Sequence, residues 1–132
     1  MTPFDQLIEA VEANNSELVK ELLLSGVSPN AQSSGGASAL IRACDEGNLE
    51  IVQYLVENGA DVNYHDDSGD SPLICAAVIG SKPITKLLLS SSVDVNAINR
   101  LGATALGYAQ HHGHHSVEKL LADAGAVDIK NE

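Results

Sequence analysis

The chain has 132 residues, with 18 Asp and Glu against 7 Lys and Arg, a formal net charge of −11. That balance argues against nucleic acid or an anionic membrane surface as partner, because both demand clustered cations, and it favours a basic protein surface. With no Trp and one Phe, burial must come from many Leu, Ile, Val and Ala side chains on small, close-set helices within one domain spanning 1–132.

The N-terminus, MTPFDQ, carries no basic stretch followed by an apolar core, so no secretory signal is read there. No apolar run approaches the roughly 18 residues of a membrane helix, and a soluble cytoplasmic protein is expected. Cys44 and Cys75 show no ligand spacing and are expected to be free, buried thiols.

The pattern DQLIEAVEA predicts a helix from Asp5 to Ala13 with Leu7, Ala10 and Val11 on one face. Asn15 then caps a second helix, Glu17 sits in its first turn, and Gly26 stands where a left-handed C-terminal residue is wanted. Beyond an extended loop, a helix is predicted from Ser38 to Glu46, with Gly47 as its break, Asn48 as the next cap and Gly59 ending the following helix before ADVN. Ser71 and Pro72 start the fifth helix, where a proline is tolerated; Gly80 breaks it, Ser81 caps the sixth, and Pro83 falls in that helix's first turn. Thr104 starts the seventh, Gly113 follows it, and Gly125 lies past the end of the eighth.

A step of 33 residues relates these segments. From Leu40 it lands on Leu7, Leu73 and Leu106; from Ala43 on Ala10, Ala76 and Ala109; from Leu55 on Leu22, Leu88 and Leu121; from Asn63 on Asn30 and Asn96. A period in this range signals a repeat architecture, with four units near 1–32, 33–65, 66–98 and 99–132. The position of Val19, Val52 and Thr85 becomes Glu118 in the last unit, and that of Leu23, Val56 and Leu89 becomes Ala122. Polar or small residues there are expected to cap the stack. Asp5 and Gln6 replace the Ser-Pro start at the front, and the expectation is a complete four-unit protein.

The units resemble ankyrin repeats. Gly69, Ser71, Pro72, Leu73, Ala76, Ala77, Gly80, Ile84, Leu87 and Leu88 carry the fullest match, followed by Gly36, Leu40, Ala43, Gly47, Ile51, Val52, Leu55 and the run Gly59 to Asn63. The resemblance implies an all-α solenoid of four helix-turn-helix units joined by β-hairpin-like loops. Departures are also visible. The family's loop-bracing histidine is replaced by Ile8, Ile41, Ile74 and Gly107, and Ser92 takes a glycine position, so a strained or differently shaped turn is expected there.

The resemblance further implies that binding falls on loop tips and on exposed residues of each unit's first helix. Carried over, these are Glu12; Ser34, Gly35, Ala37, Asp45 and Glu46; His65, Asp67, Ser68, Asp70, Val78 and Ile79; and Ile98, Arg100, Leu101, Ala103, His111 and His112. Within that set Val78, Ile79, Ile98 and Leu101 are expected to form one apolar anchor, with Asp45, Glu46, Asp66, Asp67 and Asp70 as an acidic rim that steers a basic partner. The competing expectation tucks Val78 and Ile79 into the stack and leaves the carboxylates merely solvated.

His111, His112, His114 and His115 invite a metal reading. Gly113 interrupts the helix between them, however, and no nearby Cys or carboxylate completes a ligand set. Catalysis finds no Gly-rich phosphate loop and no enclosed acid–base pair. Asn30, Asn63 and Asn96 resemble loop asparagines that hydroxylases modify in some relatives, but turn stabilisation is the simpler expectation. The reading is a monomeric, non-enzymatic adaptor or inhibitor that binds a basic protein, without cofactor or metal; the alternative is a metal-binding sensor using His111 to His115.

Overall fold

Eight helices follow one another in the computed structural model, which describes residues 2–32 and 36–127. They form four pairs: α1 (Pro3–Glu12) with α2 (Ser16–Leu24), α3 (Ala39–Glu46) with α4 (Leu49–Glu57), α5 (Pro72–Ile79) with α6 (Lys82–Leu89), and α7 (Ala105–His111) with α8 (His115–Asp123). The expected residues Ser34 and Gly35 lie outside the described residues.

The starts of the helices are set chemically. Thr2, Ser38, Ser71 and Thr104 each accept a first-turn N–H through a side-chain oxygen at the head of α1, α3, α5 and α7. Asn15, Asn48 and Ser81 do the same for α2, α4 and α6, each cap contributing about 1 kcal/mol. The first helix begins at Pro3 rather than at Asp5, because Thr2 and Asp5 close a reciprocal capping box and Pro3 occupies the first turn.

Between the two helices of every pair the chain passes through one left-handed residue, Asn14, Gly47, Gly80 or Gly113, at φ 55°, 73°, 80° and 71°. The following N–H then reaches back five residues: Asn15 to the Ala10 carbonyl, Asn48 to Ala43, Ser81 to Ala76 and His114 to Ala109, at 2.9, 3.2, 3.1 and 2.9 Å. The recurring alanine lets the two helices approach closely at that bond. A like bond closes the second helices of three units, from Val27 to Leu22, Ala60 to Leu55 and Ala126 to Leu121. At Ser92 it is missing: Ser92 stays out of the left-handed region, and Val93 N–H donates instead to Ser91 O at 2.8 Å. The turn there is differently shaped, as its serine demands.

Stacking follows from the 33-residue step. The helices α1, α3, α5 and α7 pack in one layer and α2, α4, α6 and α8 in another. Leu7, Leu40, Leu73 and Leu106 are buried, as are all four alanines of the Ala10 series. Leu55, Leu88 and Leu121 are sealed too, whereas Leu22, at the front edge of the described stack, is only partly covered. Ile8, Ile41 and Ile74, in the histidine position, add to the core. Each sealed aliphatic side chain contributes about 1.5–3 kcal/mol. No strand occurs among the described residues, only an isolated antiparallel bridge between Gln32 and Ser38, and no described helix is long and apolar enough to cross a membrane.

Candidate functional site

Two loop tips are built on one plan. In the third unit Asp66 N–H donates to Asp70 O at 3.1 Å, and Asp66 Oδ1 accepts the N–H groups of Ser68 and Asp70, both at 2.9 Å. One step later Asn99 N–H donates to Ala103 O at 3.0 Å, and Asn99 Oδ1 accepts from Leu101 and Ala103 at 2.9 and 3.0 Å. These side chains brace the two tips from within. Arg100 N–H donates to Ser68 O at 3.0 Å and stitches one tip to the next. Gly69 permits that approach: at φ 81°, a Cβ there would lie 2.9 Å from Arg100 N and from Asn99 Cα.

The Asn99 amide does more than brace its own turn. Its Nδ2 donates to Asp70 Oδ1 and to Tyr108 Oη, both at 2.9 Å, which fixes a carboxylate and a phenol on the wall of a cleft. That cleft, about 340 Å³, is lined by Asp67, Ser68, Asp70, Asn99, Arg100, Leu101 and Tyr108. Asn99 and Tyr108 were absent from the sequence-based set; a polar residue in register with Asp66 was the one available signal for Asn99.

Asp45, at the end of α3, is exposed on the same side. Partial burial pushes its carboxyl above the ordinary range, and the charges of Asp66 and Asp70 push the same way, against a hydrogen bond from Cys75 and the charge of Arg42. Asp45, Asp66 and Asp70 therefore share one negative field. Arg42 in turn lies 3.5 Å from a Glu12 carboxylate oxygen in the preceding unit, an ion pair without hydrogen-bond geometry. Glu46 and Asp67 are exposed beside these groups.

Val78, Ile79, Ile98 and Leu101 are all exposed, so Val78 and Ile79 are not tucked into the stack. Val78 and Ile79 do not adjoin Leu101, however. Val78 and Ile79 end α5, where Ile79 Cγ2 lies beside Gly47, whereas Leu101 lines the tip cleft. An eight-residue helix spans about 12 Å, and that length separates the two apolar spots along the groove.

The histidines fall into two groups. His65 is exposed beside Tyr64, with Nδ1 3.3 Å from the Asp66 carbonyl oxygen. His111 ends α7 and His115 begins α8, so the two do not share a helix face. His112 lies 5.1 Å from His111, 5.8 Å from His114 and 6.3 Å from Tyr108, ring centre to ring centre. His114 makes no side-chain cap; its Nε2 is 3.1 Å from Val78 O, and its ring covers Gly80 so closely that a Cβ there would lie 2.6 Å away. It is a brace between the third and fourth units. Among the described residues no three His, Cys, Asp or Glu side chains converge to hold a metal ion. Cys44 and Cys75 are buried free thiols whose ionisation burial disfavours strongly, which makes them poor nucleophiles.

No curated protein matches the chain. A family model described as ankyrin repeats (3 copies) matches residues 7–99 and again 66–132. Ankyrin repeats generally mediate protein–protein interaction and are typically non-enzymatic. The paired helices, the 33-residue register and this match agree, and the chain belongs to the ankyrin repeat family.

Proposed function

We propose that the chain is an adaptor or inhibitor that occludes a basic partner protein through its inner surface, acting as a monomer in the cytoplasm. One observation carries the reading: Asp67 and Asp70 line a single cleft with Leu101 and Tyr108, and the charges of Asp66 and Asp70 also bear on Asp45. Carboxylates gathered there speed encounter with a cationic surface and fix its orientation. Leu101 on the tip, and Val78 and Ile79 at the end of α5, offer two apolar contacts to supply affinity. Arg100 lines the cleft beside Leu101, and Glu46, His65, Ile98, His111 and His112 complete the proposed surface.

The test is capture from native extract with the wild-type chain, Ile79→Ala and Asp67→Lys as baits. A specific partner should be recovered by the wild type and lost, at least about tenfold, with Asp67→Lys, the size of effect expected when one close charge pair becomes repulsive. Undiminished recovery by both variants would remove the inner surface from consideration.

A further inference from the structure

Three loop asparagines join each unit to the one after it. Asn30 Oδ1 accepts Asp61 N–H at 2.8 Å while Nδ2 reaches Gly59 O at 3.5 Å. Asn63 Oδ1 accepts Asp94 N–H at 2.8 Å, with Nδ2 donating to Ser92 O at 2.8 Å. Asn96 Oδ1 accepts Val127 N–H at 3.0 Å, with Nδ2 donating to Gly125 O at 3.3 Å. Every unit after the first thus offers a carbonyl and, two residues on, an N–H to a carboxamide from in front.

Stepping back 33 residues from Gly59 and Asp61 places the same pair at Gly26 O and Ser28 N–H. The turn there is already shaped: Ser28 Oγ accepts Asn30 N–H at 3.1 Å, as Asp61 Oδ1 accepts Asn63 N–H at 2.9 Å. No described residue pairs with Gly26 O or Ser28 N–H. Gly26 and Ser28 line a cleft of about 390 Å³ together with Pro3 and Phe4.

The surrounding edge is apolar. Leu18 is 37% exposed, whereas Ile51, Ile84 and Val117 at the same step are sealed by the unit in front of them. Leu22 is only partly covered, whereas Leu55, Leu88 and Leu121 at the same step are sealed. Phe4 is half exposed beside the cleft. The opposite end of the stack instead shows Glu118 and Ala122, so the two ends differ in kind.

We propose that this leading edge is a second binding surface, which takes an asparagine carboxamide from an extended loop of a partner protein. The amide oxygen accepts Ser28 N–H, the amide nitrogen donates to Gly26 O, and apolar neighbours of the asparagine cover Phe4 and Leu18. A second copy of this chain does not fit as the donor. Its three loop asparagines are already engaged, and the next step after Asn96 is Ile129, which has no amide. The donor also carries a cation: Glu21 stands one step before Tyr54, over whose ring Lys20 of the preceding unit sits at 5.9 Å.

The probe is a capped peptide copying the chain's own donor turn, residues 92–98, SVDVNAI, titrated at millimolar concentration into the full ¹⁵N-labelled chain. Saturable shifts of the Ser28 and Val27 amides are expected, with the Asn96→Ala peptide at least about fivefold weaker, as loss of a hydrogen-bonding carboxamide dictates. In the chain, Leu18→Glu puts a carboxylate in the first turn of α2, where the helix dipole accepts it and the fold stays intact, and weakens the peptide by a similar factor. Absence of a concentration-dependent shift at Ser28, equal affinity for the two peptides, or an unaffected Leu18→Glu chain overturns the proposal. Neither the acidic groove nor its partner enters this titration, so the two surfaces stand or fall separately.

Discussion

Asp45 is held where ionisation is costly, beside Asp66 and Asp70 and partly out of water. A carboxyl whose pKa is raised by folding favours the folded state while protonated and opposes it once the pH rises through that raised value. Asp45→Asn is therefore expected to raise the urea midpoint at pH 7, the gain shrinking to nothing as the pH falls below about 4, the ordinary carboxylate range. The same change removes a charge from the binding face, so tighter folding should accompany weaker partner binding. Gly107 offers a cleaner gain. Its φ is not left-handed and an added Cβ would meet only Thr104 Oγ1 at 3.5 Å, so Gly107→Ala should stabilise by about 0.5–1 kcal/mol in thermal or urea unfolding. At this scale the sequence shows the caps well, because Ser38, Asn48, Ser71 and Thr104 each sit at a fixed offset from an apolar run. The link from Asn99 to Asp70 and Tyr108 was hidden: it joins residues 29 and 9 positions apart, and no local pattern encodes such a meeting.

At the scale of elements, a helix pair this short is not stable alone; its neighbours complete it. Part of that completion is apolar, through the Leu40 and Ala43 series, and part is the asparagine ladder. Asn63→Ala deletes two inter-unit hydrogen bonds, each 2.8 Å, and should cost about 1–3 kcal/mol in urea unfolding. Amide exchange at Asp94, the donor left behind, should quicken in the same variant. Recurrence of Asn30, Asn63 and Asn96 was visible in the sequence, and turn stabilisation was the expected role. Their reach across the unit boundary was not, because the acceptors are backbone atoms whose identity no side chain records. The same blindness applies to His114: its place in the repeat is plain, yet its contact with Val78 O and Gly80 belongs to the stack rather than to its own helix. The altered turn at Ser92 was readable, since a serine in a left-handed glycine position must move.

Across the whole molecule, the repeat period exposes the architecture but leaves recognition to residues outside the period. Leu101, Ile98, Val78 and Ile79 stand out for being apolar where burial does not require it, and exposure follows; the separation of Val78 and Ile79 from Leu101 depends on helix length and direction, which composition does not carry. Charge is the second global property. With a net charge of −11, any binding to a basic partner should weaken as salt is added, because a Debye length of about 8 Å at physiological ionic strength shortens further. General attraction and a located site nevertheless make different demands. Asp67→Lys on the loop tip and Glu57→Lys on the outer helix layer change the total charge equally, both residues being exposed. The deciding measurement is the dissociation constant of the captured partner for these two variants and the wild type at one ionic strength. Recognition through the inner surface predicts at least a tenfold weakening, roughly 1.4 kcal/mol, for Asp67→Lys and little change for Glu57→Lys; equal weakening by both would contradict it.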